Sequence, residues 1–232
     1  MIIRIYPVIH HKNEELTIAE AAVAFNAGAD GVFLISHHGQ DNALIQPAIT
    51  LKASYPDKRI GLNLLSNTFD DVITLAIAQK IEMIWVDAPG VRSEGISRDG
   101  LHCATRLKAQ KASGGFLPEV FGSVAFKYQP IDLSPGKAAI RCLAHGMLPT
   151  TSGTATGMAP DVEKIKRMRA QIGPQAPLAI ASGMTLENIE DFAPFLTHVL
   201  VSTGLSLDEY RLDGKKLAAF IDKAKSAALP VS

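Results

Sequence analysis

The sequence predicts an α/β fold, a single (β/α)8 TIM barrel with phosphate-binding turns after strands 7 and 8. Three observations lead there. Short apolar runs alternate with amphipathic stretches from one end to the other. The 232 residues come close to the roughly 250 typical of one complete barrel. Two runs near the C-terminus, LAIASGMT (178–185) and HVLVSTGLS (198–206), each pass straight into a Ser/Thr/Gly turn before a helical stretch.

The first strand is expected at 3–10, with either Ile3 and Ile5 or Arg4 and Tyr6 facing inward, since strand side chains alternate. Its helix follows at 18–27, closed by Gly28, where a left-handed residue is cheap. Strand 2 (32–36) leads to a helix at 43–55, and strand 3 (60–65) to one at 69–80. Strand 4 (83–86) precedes a helix at 100–112, and strand 5 (120–126) one at 136–143, which Pro130, Pro135 and Gly136 should make short or irregular. Strand 6 (147–150) leads to a helix at 161–172 with Asp161 as N-cap. Strand 7 (178–181) feeds a helix at 186–195 with Thr185 as N-cap, and strand 8 (199–202) a closing helix at 215–227. The strands are continuously apolar, as expected when both faces are covered. No heptad, linker or composition break divides the chain, so 1–232 reads as one domain.

Twenty-three basic and twenty-three acidic residues leave no net field to gather nucleic acid or coat an anionic membrane. The segment MIIRIYPVIHHKNEE lacks a secretory signal, and charges interrupt every apolar run before it could span a bilayer, so a soluble, cytoplasmic protein is expected. Two cysteines, Cys103 and Cys142, read as unpaired small apolar residues of a reducing compartment. The expected partner is a phosphorylated small molecule, with a homo-oligomer possible and no cofactor indicated.

In a closed parallel barrel, function gathers at the C-terminal ends of the strands, where the βα loops vary. Ser182, Gly183, Thr203 and Gly204 are the expected phosphate grip, because glycines admit an anion close to backbone N–H groups. The uncharged loop TTSGTATGMAP (150–160) offers Thr151, Ser152, Thr154 and Thr156 as hydroxyl donors to a substrate. Asn63, which both donates and accepts, suits a substrate hydroxyl. Lys127 and Asp87 are the candidate catalytic pair: a lysine to neutralise charge or form a Schiff base, and an aspartate to move a proton. His10 and His37 are candidate hydrogen-bonding or acid/base groups. Adjacent histidines on a strand face opposite ways, and no HExxH, paired CxxC or carboxylate-rich loop occurs, so no metal site is expected. His198 falls at the opposite rim and reads as structural.

AGADGVFL, GLNLLSN, DAPGVRSEG, SVAFKYQP, TSGTATGMAP, ASGMT and VSTGLS, taken together in this order from Ala27 to Ser206, resemble the BtpA/SgcQ family of TIM-barrel proteins. The resemblance implies a phosphate-binding barrel without implying one reaction: the family's best-known role is in photosystem I accumulation in cyanobacteria, and other members sit among sugar-metabolism genes. Three departures stand out. Ser123 replaces an acidic residue of the family pattern while Lys127 is retained; Ser206 replaces a lysine; His10-His11-Lys12 replaces Leu-Pro-Gly. The expected activity is a lyase, isomerase or transferase on a phosphorylated metabolite, and the alternative is a non-catalytic BtpA-like binding or assembly factor.

Overall fold

A parallel sheet buried on both faces has no use for an open edge, and here it has none: the first strand pairs with both the second and the last. The computed structural model describes residues 2–228. Eight parallel strands close in the order of the sequence: β1 (Arg4–His10), β2 (Gly31–Ile35), β3 (Arg59–Asn63), β4 (Met83–Val86), β5 (Glu119–Ser123), β6 (Leu148–Thr151), β7 (Ala179–Ala181) and β8 (His198–Val201). Tyr6 of β1 sits in register with Leu200 of β8, and Ile180 of β7 with Val199. Helices α1 (Glu14–Asn26), α2 (Ile45–Ser54), α3 (Phe69–Gln79), α4 (Arg98–Ala112), α5 (Pro135–Ala144), α6 (Val162–Ile172), α7 (Ile189–Phe192) and α8 (Gly214–Ala228) follow the strands in turn.

Alternation along each strand divides the buried side chains into two cores. Tyr6, Val8, Phe33, Ile35, Met83, Trp85, Phe121, Leu148 and Leu200 fill the lumen, while Ile3, Ile5 and Ile9 join the larger core between sheet and helices. The inward face of β1 is therefore the Tyr6 set. Complete burial of a side chain such as Phe33 contributes about 1.5–3 kcal/mol. Gly61 makes room for it, since a Cβ there would lie 2.4 Å from the Phe33 ring. At the floor of the lumen His198 stacks on Tyr6 at 5.9 Å and meets the edge of Phe121 at 5.4 Å. Burial, helped by Arg4 and Arg59, pulls its pKa down to about 3.

Several boundaries differ from expectation for local reasons. α1 begins at Glu14 because Asn13 caps it, accepting the Leu16 N–H at 2.9 Å. A 3-10 turn at Asp41–Leu44 precedes α2. β5 stops at Ser123, short of 126, because Ala125 (φ +47°) and Tyr128 (φ +63°) turn left-handed. α5 is a regular ten-residue helix: Pro135 sits in its first turn, where a missing N–H costs nothing. α7 keeps only four residues and continues as a 3-10 turn, Ala193–Phe195, containing Pro194. Asp161 caps α6 through the Glu163 N–H, and Gly28 takes φ +94°. Cys103 and Cys142 are buried and unpaired. Among the described residues no helix is long and apolar enough to cross a membrane.

Candidate functional site

Strand parity carries the lumen face upward to the C-terminal rim. Above Tyr6 and Val8 stands His10; above Gly61 stands Asn63; above Met83 and Trp85 stands Asp87. Each ends with a polar atom that is buried and makes no hydrogen bond: His10 Nδ1, Asn63 Oδ1 and Asp87 Oδ1. Asn63 is held by its other end, donating from Nδ2 to the Trp85 carbonyl at 2.9 Å. Buried polar atoms are nearly always satisfied in a folded protein, and these three orphans, brought together from three strands at the mouth, are free to receive the polar groups of a small molecule.

Charge gathers at the same spot. Burial raises the pKa of Asp87, against the opposing pull of Lys127, Asn63 and His37. His10 and His37 meet edge to face at 4.9 Å, and burial chiefly, with Lys127 nearby, lowers both below the usual histidine range. His11 faces away, its Nδ1 2.8 Å from Thr17 Oγ1, as opposite-facing neighbours must. Lys127 is four residues past the end of β5, in the left-handed turn, and not at a strand end as expected. Its backbone N–H donates to Ser152 Oγ at 2.8 Å, and its ammonium donates to Thr156 Oγ1 at 3.3 Å. Among the described residues no group of three His, Cys, Asp or Glu could hold a metal ion.

The hydroxyl loop behaves differently from its reading as a set of donors. Thr151 donates to the Ala125 carbonyl at 3.0 Å, and Ser152 donates to the Gly153 carbonyl at 2.8 Å; both are buried and committed to backbone. Thr154 and Thr156 are exposed, Thr154 against Met158 Sδ and Thr156 between Lys127 and Tyr128. Ser182 (φ +77°) and Gly183 (φ +75°) form a left-handed turn, and Ser182 Oγ accepts the Gly157 N–H at 2.9 Å. On the side where a Cβ would stand, both glycines meet protein backbone, not the open mouth expected of an anion grip. A Cβ on Gly183 would lie 2.3 Å from the Ala159 nitrogen, and one on Gly204 would lie 2.4 Å from the Met184 carbonyl. The missing side chains thus let the loops after β6, β7 and β8 touch. Thr203, exposed, opens a 3-10 turn (Thr203–Leu205) after β8.

Sequence reasoning missed Glu209, Gln129 and Lys164. Glu209, in the loop after β8, receives His38 Nε2 at 3.3 Å and acts electrostatically on His10 and His37. Gln129 ties the rim together, donating to the Asp87 and Ser123 carbonyls at 2.7 and 3.0 Å. Lys164 lies on α6 beside a cleft of about 1070 Å³ between the loops after β5 and β6. Only the presence of a carboxylate in a rim loop could have pointed to Glu209; nothing local distinguishes Lys164.

No protein-family model and no curated protein matches the chain. Solved structures match its fold. KGPDC from Streptococcus mutans superposes with a TM-score of 0.70 at 12% identity, over 98% of this chain and 99% of that one. Phosphoribosyl anthranilate isomerase from Thermus thermophilus gives 0.67 at 14%, over 97% and 99%. (S)-3-O-geranylgeranylglyceryl phosphate synthase from Thermoplasma acidophilum, with sn-glycerol-1-phosphate, gives 0.65 at 15%, over 97% and 94%. At these identities the likeness is one of fold, a closed (β/α)8 barrel.

Proposed function

We propose that the chain is an enzyme acting on a phosphorylated small molecule at the C-terminal mouth of the barrel, by lyase, isomerase or transferase chemistry. The observation that carries this reading is the convergence of His10 Nδ1, Asn63 Oδ1 and Asp87 Oδ1, all buried and unpartnered, beside Lys127. The structural neighbours, several of them named for phosphorylated compounds, support the substrate class.

Asp87 is the proton-transfer group. Its raised pKa moves it toward the range in which a carboxyl both gives and takes a proton near neutrality. Lys127 stabilises negative charge developing at the reacting end, while Asn63, His10 and His37 orient the polar body of the substrate. The phosphate sits across the mouth, on the Ser182–Gly183 and Thr203–Gly204 turns. Ser182 Oγ already accepts a backbone N–H, which leaves its own proton for the anion. The distance of the phosphate from Asp87 limits repulsion between the two negative groups.

Calorimetric titration with sn-glycerol 1-phosphate, as a probe of the grip, tests the reading. Binding should weaken about tenfold in Thr203→Val and in Lys127→Met, each remaining folded; no binding at millimolar probe, or binding indifferent to both, overturns it. A second reading, a non-catalytic barrel of BtpA/SgcQ type, rests on Ser123. That residue is fully buried and its Oγ accepts the Trp85 indole N–H at 3.0 Å, so the position where the resembling family places an acid serves the core here. Binding of the probe unaffected by Asp87→Asn, with no turnover of any phosphorylated sugar tried, favours this second reading.

A further inference from the structure

The cleft between the loops after β5 and β6 lies beside the mouth, and Asp87, Asn63, His10, His37 and Lys127 do not line it. Its walls are mixed, with Phe126 and Met168 inside, Ile131 and Leu133 exposed at the rim, and the carboxylates of Asp132 and Asp161 among the polar lining. Lys164 and Arg167, three residues apart on α6, contribute its positive charge. Among the described residues the Arg167 side chain makes no hydrogen bond or ion pair, and no carboxylate lies within ion-pair distance of Lys164. A half-buried lysine with no carboxylate in direct contact, Asp132 acting on it only from a distance, is an unusual placement of charge.

We infer that Lys164 is a nucleophilic amine that forms an imine with an aldehyde or ketone bearing an anionic group, bound in this cleft. Nζ donates to the Ala125 carbonyl at 2.6 Å and to the Ser152 carbonyl at 2.8 Å. Two hydrogens are thereby fixed on a tetrahedral nitrogen already bonded to Cε. One position remains, and in the neutral amine it is the lone pair. Burial lowers the pKa of Lys164 to about 8, opposed by Asp132, so a usable fraction is neutral at pH 7. Asp132 itself is occupied, accepting the Ser93 and Ser134 N–H groups.

The lone pair adds to the carbonyl carbon, one nitrogen proton passes through solvent to the carbonyl oxygen to give the neutral carbinolamine, and a second proton from solvent lets that oxygen leave as water while the nitrogen lone pair forms the C=N bond. No oxidant or reductant is needed. The protonated imine keeps one N–H where the amine had two, so one backbone carbonyl loses its donor. Ala125 tolerates that loss, because Thr151 Oγ1 also donates to its oxygen at 3.0 Å, and the remaining N–H stays on Ser152. Arg167 takes the anionic group of the compound, carboxylate or phosphate.

The full-length chain, treated at pH 7 with glyoxylate and cyanoborohydride and mapped by peptide mass spectrometry, tests the assignment. Lys164 should be alkylated roughly tenfold faster than the exposed Lys166, whose ammonium is paired with Glu163. Arg167→Gln should slow labelling by glyoxylate while leaving labelling by the neutral aldehyde propanal unchanged. Lys164 reacting no faster than Lys166, or Lys127 taking the label instead, overturns the proposal. A shift of the label to Lys127 leaves the reading of the mouth standing, whereas loss of probe binding there with Lys164 still labelled removes only that reading. The measurement on the unmodified chain stands even if Lys164→Met fails to fold.

Discussion

At pH 7 the His198 ring is neutral and packed between Tyr6 and Phe121, and acid is its weakness. The unfolded chain protonates this ring near 6.5 and the folded chain only near 3, so its contribution to stability is complete above pH 6.5 and drains away as pH falls toward 3. His198→Phe keeps the stack without the titration. Between pH 7 and pH 4, urea unfolding of the parent should lose about 3 kcal/mol more than that of the variant; equal losses would remove His198 from the acid limb. Asp87 has the opposite sign. Its folded pKa lies above the ordinary 3.8, so its stabilising contribution is full below 3.8 and lost as pH rises through the raised value. Asp87→Asn should melt at a higher temperature than the parent at pH 7 and show no advantage below about pH 3.8. An unchanged melting temperature at pH 7 would contradict the burial penalty. Asp87, Asn63 and His10 were legible as rim positions because each stands at the end of an apolar run, while their place above the lumen follows from the strand parity of the folded barrel. Lys164 and Glu209 were not, since a helix and a long loop meet the site only through tertiary packing.

Individual strands and loops carry their own tests. The bare Cα of Gly61 faces the Phe33 ring across the β2–β3 pairing, so Gly61→Ala should cost roughly 1–3 kcal/mol by overpacking. Phe33→Leu in the same chain should return most of that loss, and additive effects of the two substitutions would show that the contact does not govern the cost. Gly183→Ala adds an atom against the Met158–Ala159 backbone at a left-handed position, and should cost roughly 1–3 kcal/mol while exposing the loop after β6 to limited proteolysis. An equally protease-resistant loop would refute the packing. The sequence placed all eight strands and helices through their apolar rhythm, yet missed where β5 ends. Ala125 and Tyr128 carry no composition cue for a left-handed turn; the conformation is held by bonds from Thr151 and Lys164, which lie in other units of the chain.

For the barrel as a whole, the sole tryptophan is a convenient witness. Trp85 stands in the lumen between β4 and β5, its indole N–H on Ser123. Its emission should shift to the red in the same denaturant transition that removes the far-ultraviolet helix signal, and two separated transitions would show that the barrel opens in parts. Closure was readable from length and alternation, because eight strand–helix units of this size leave no other economical arrangement. The rim was less so, since its loops hold one another. Gln129 reaches back to the Asp87 carbonyl, Lys127 leans on Ser152, Gly157 on Ser182, and Gly204 on Met184. For anyone transplanting activity onto this scaffold, the unit of exchange is consequently a cassette. A foreign segment grafted after β6 alone would arrive without the backbone that Gly183 was shaped to receive, while the segments following β4 through β8, moved together, would bring their own fit with them.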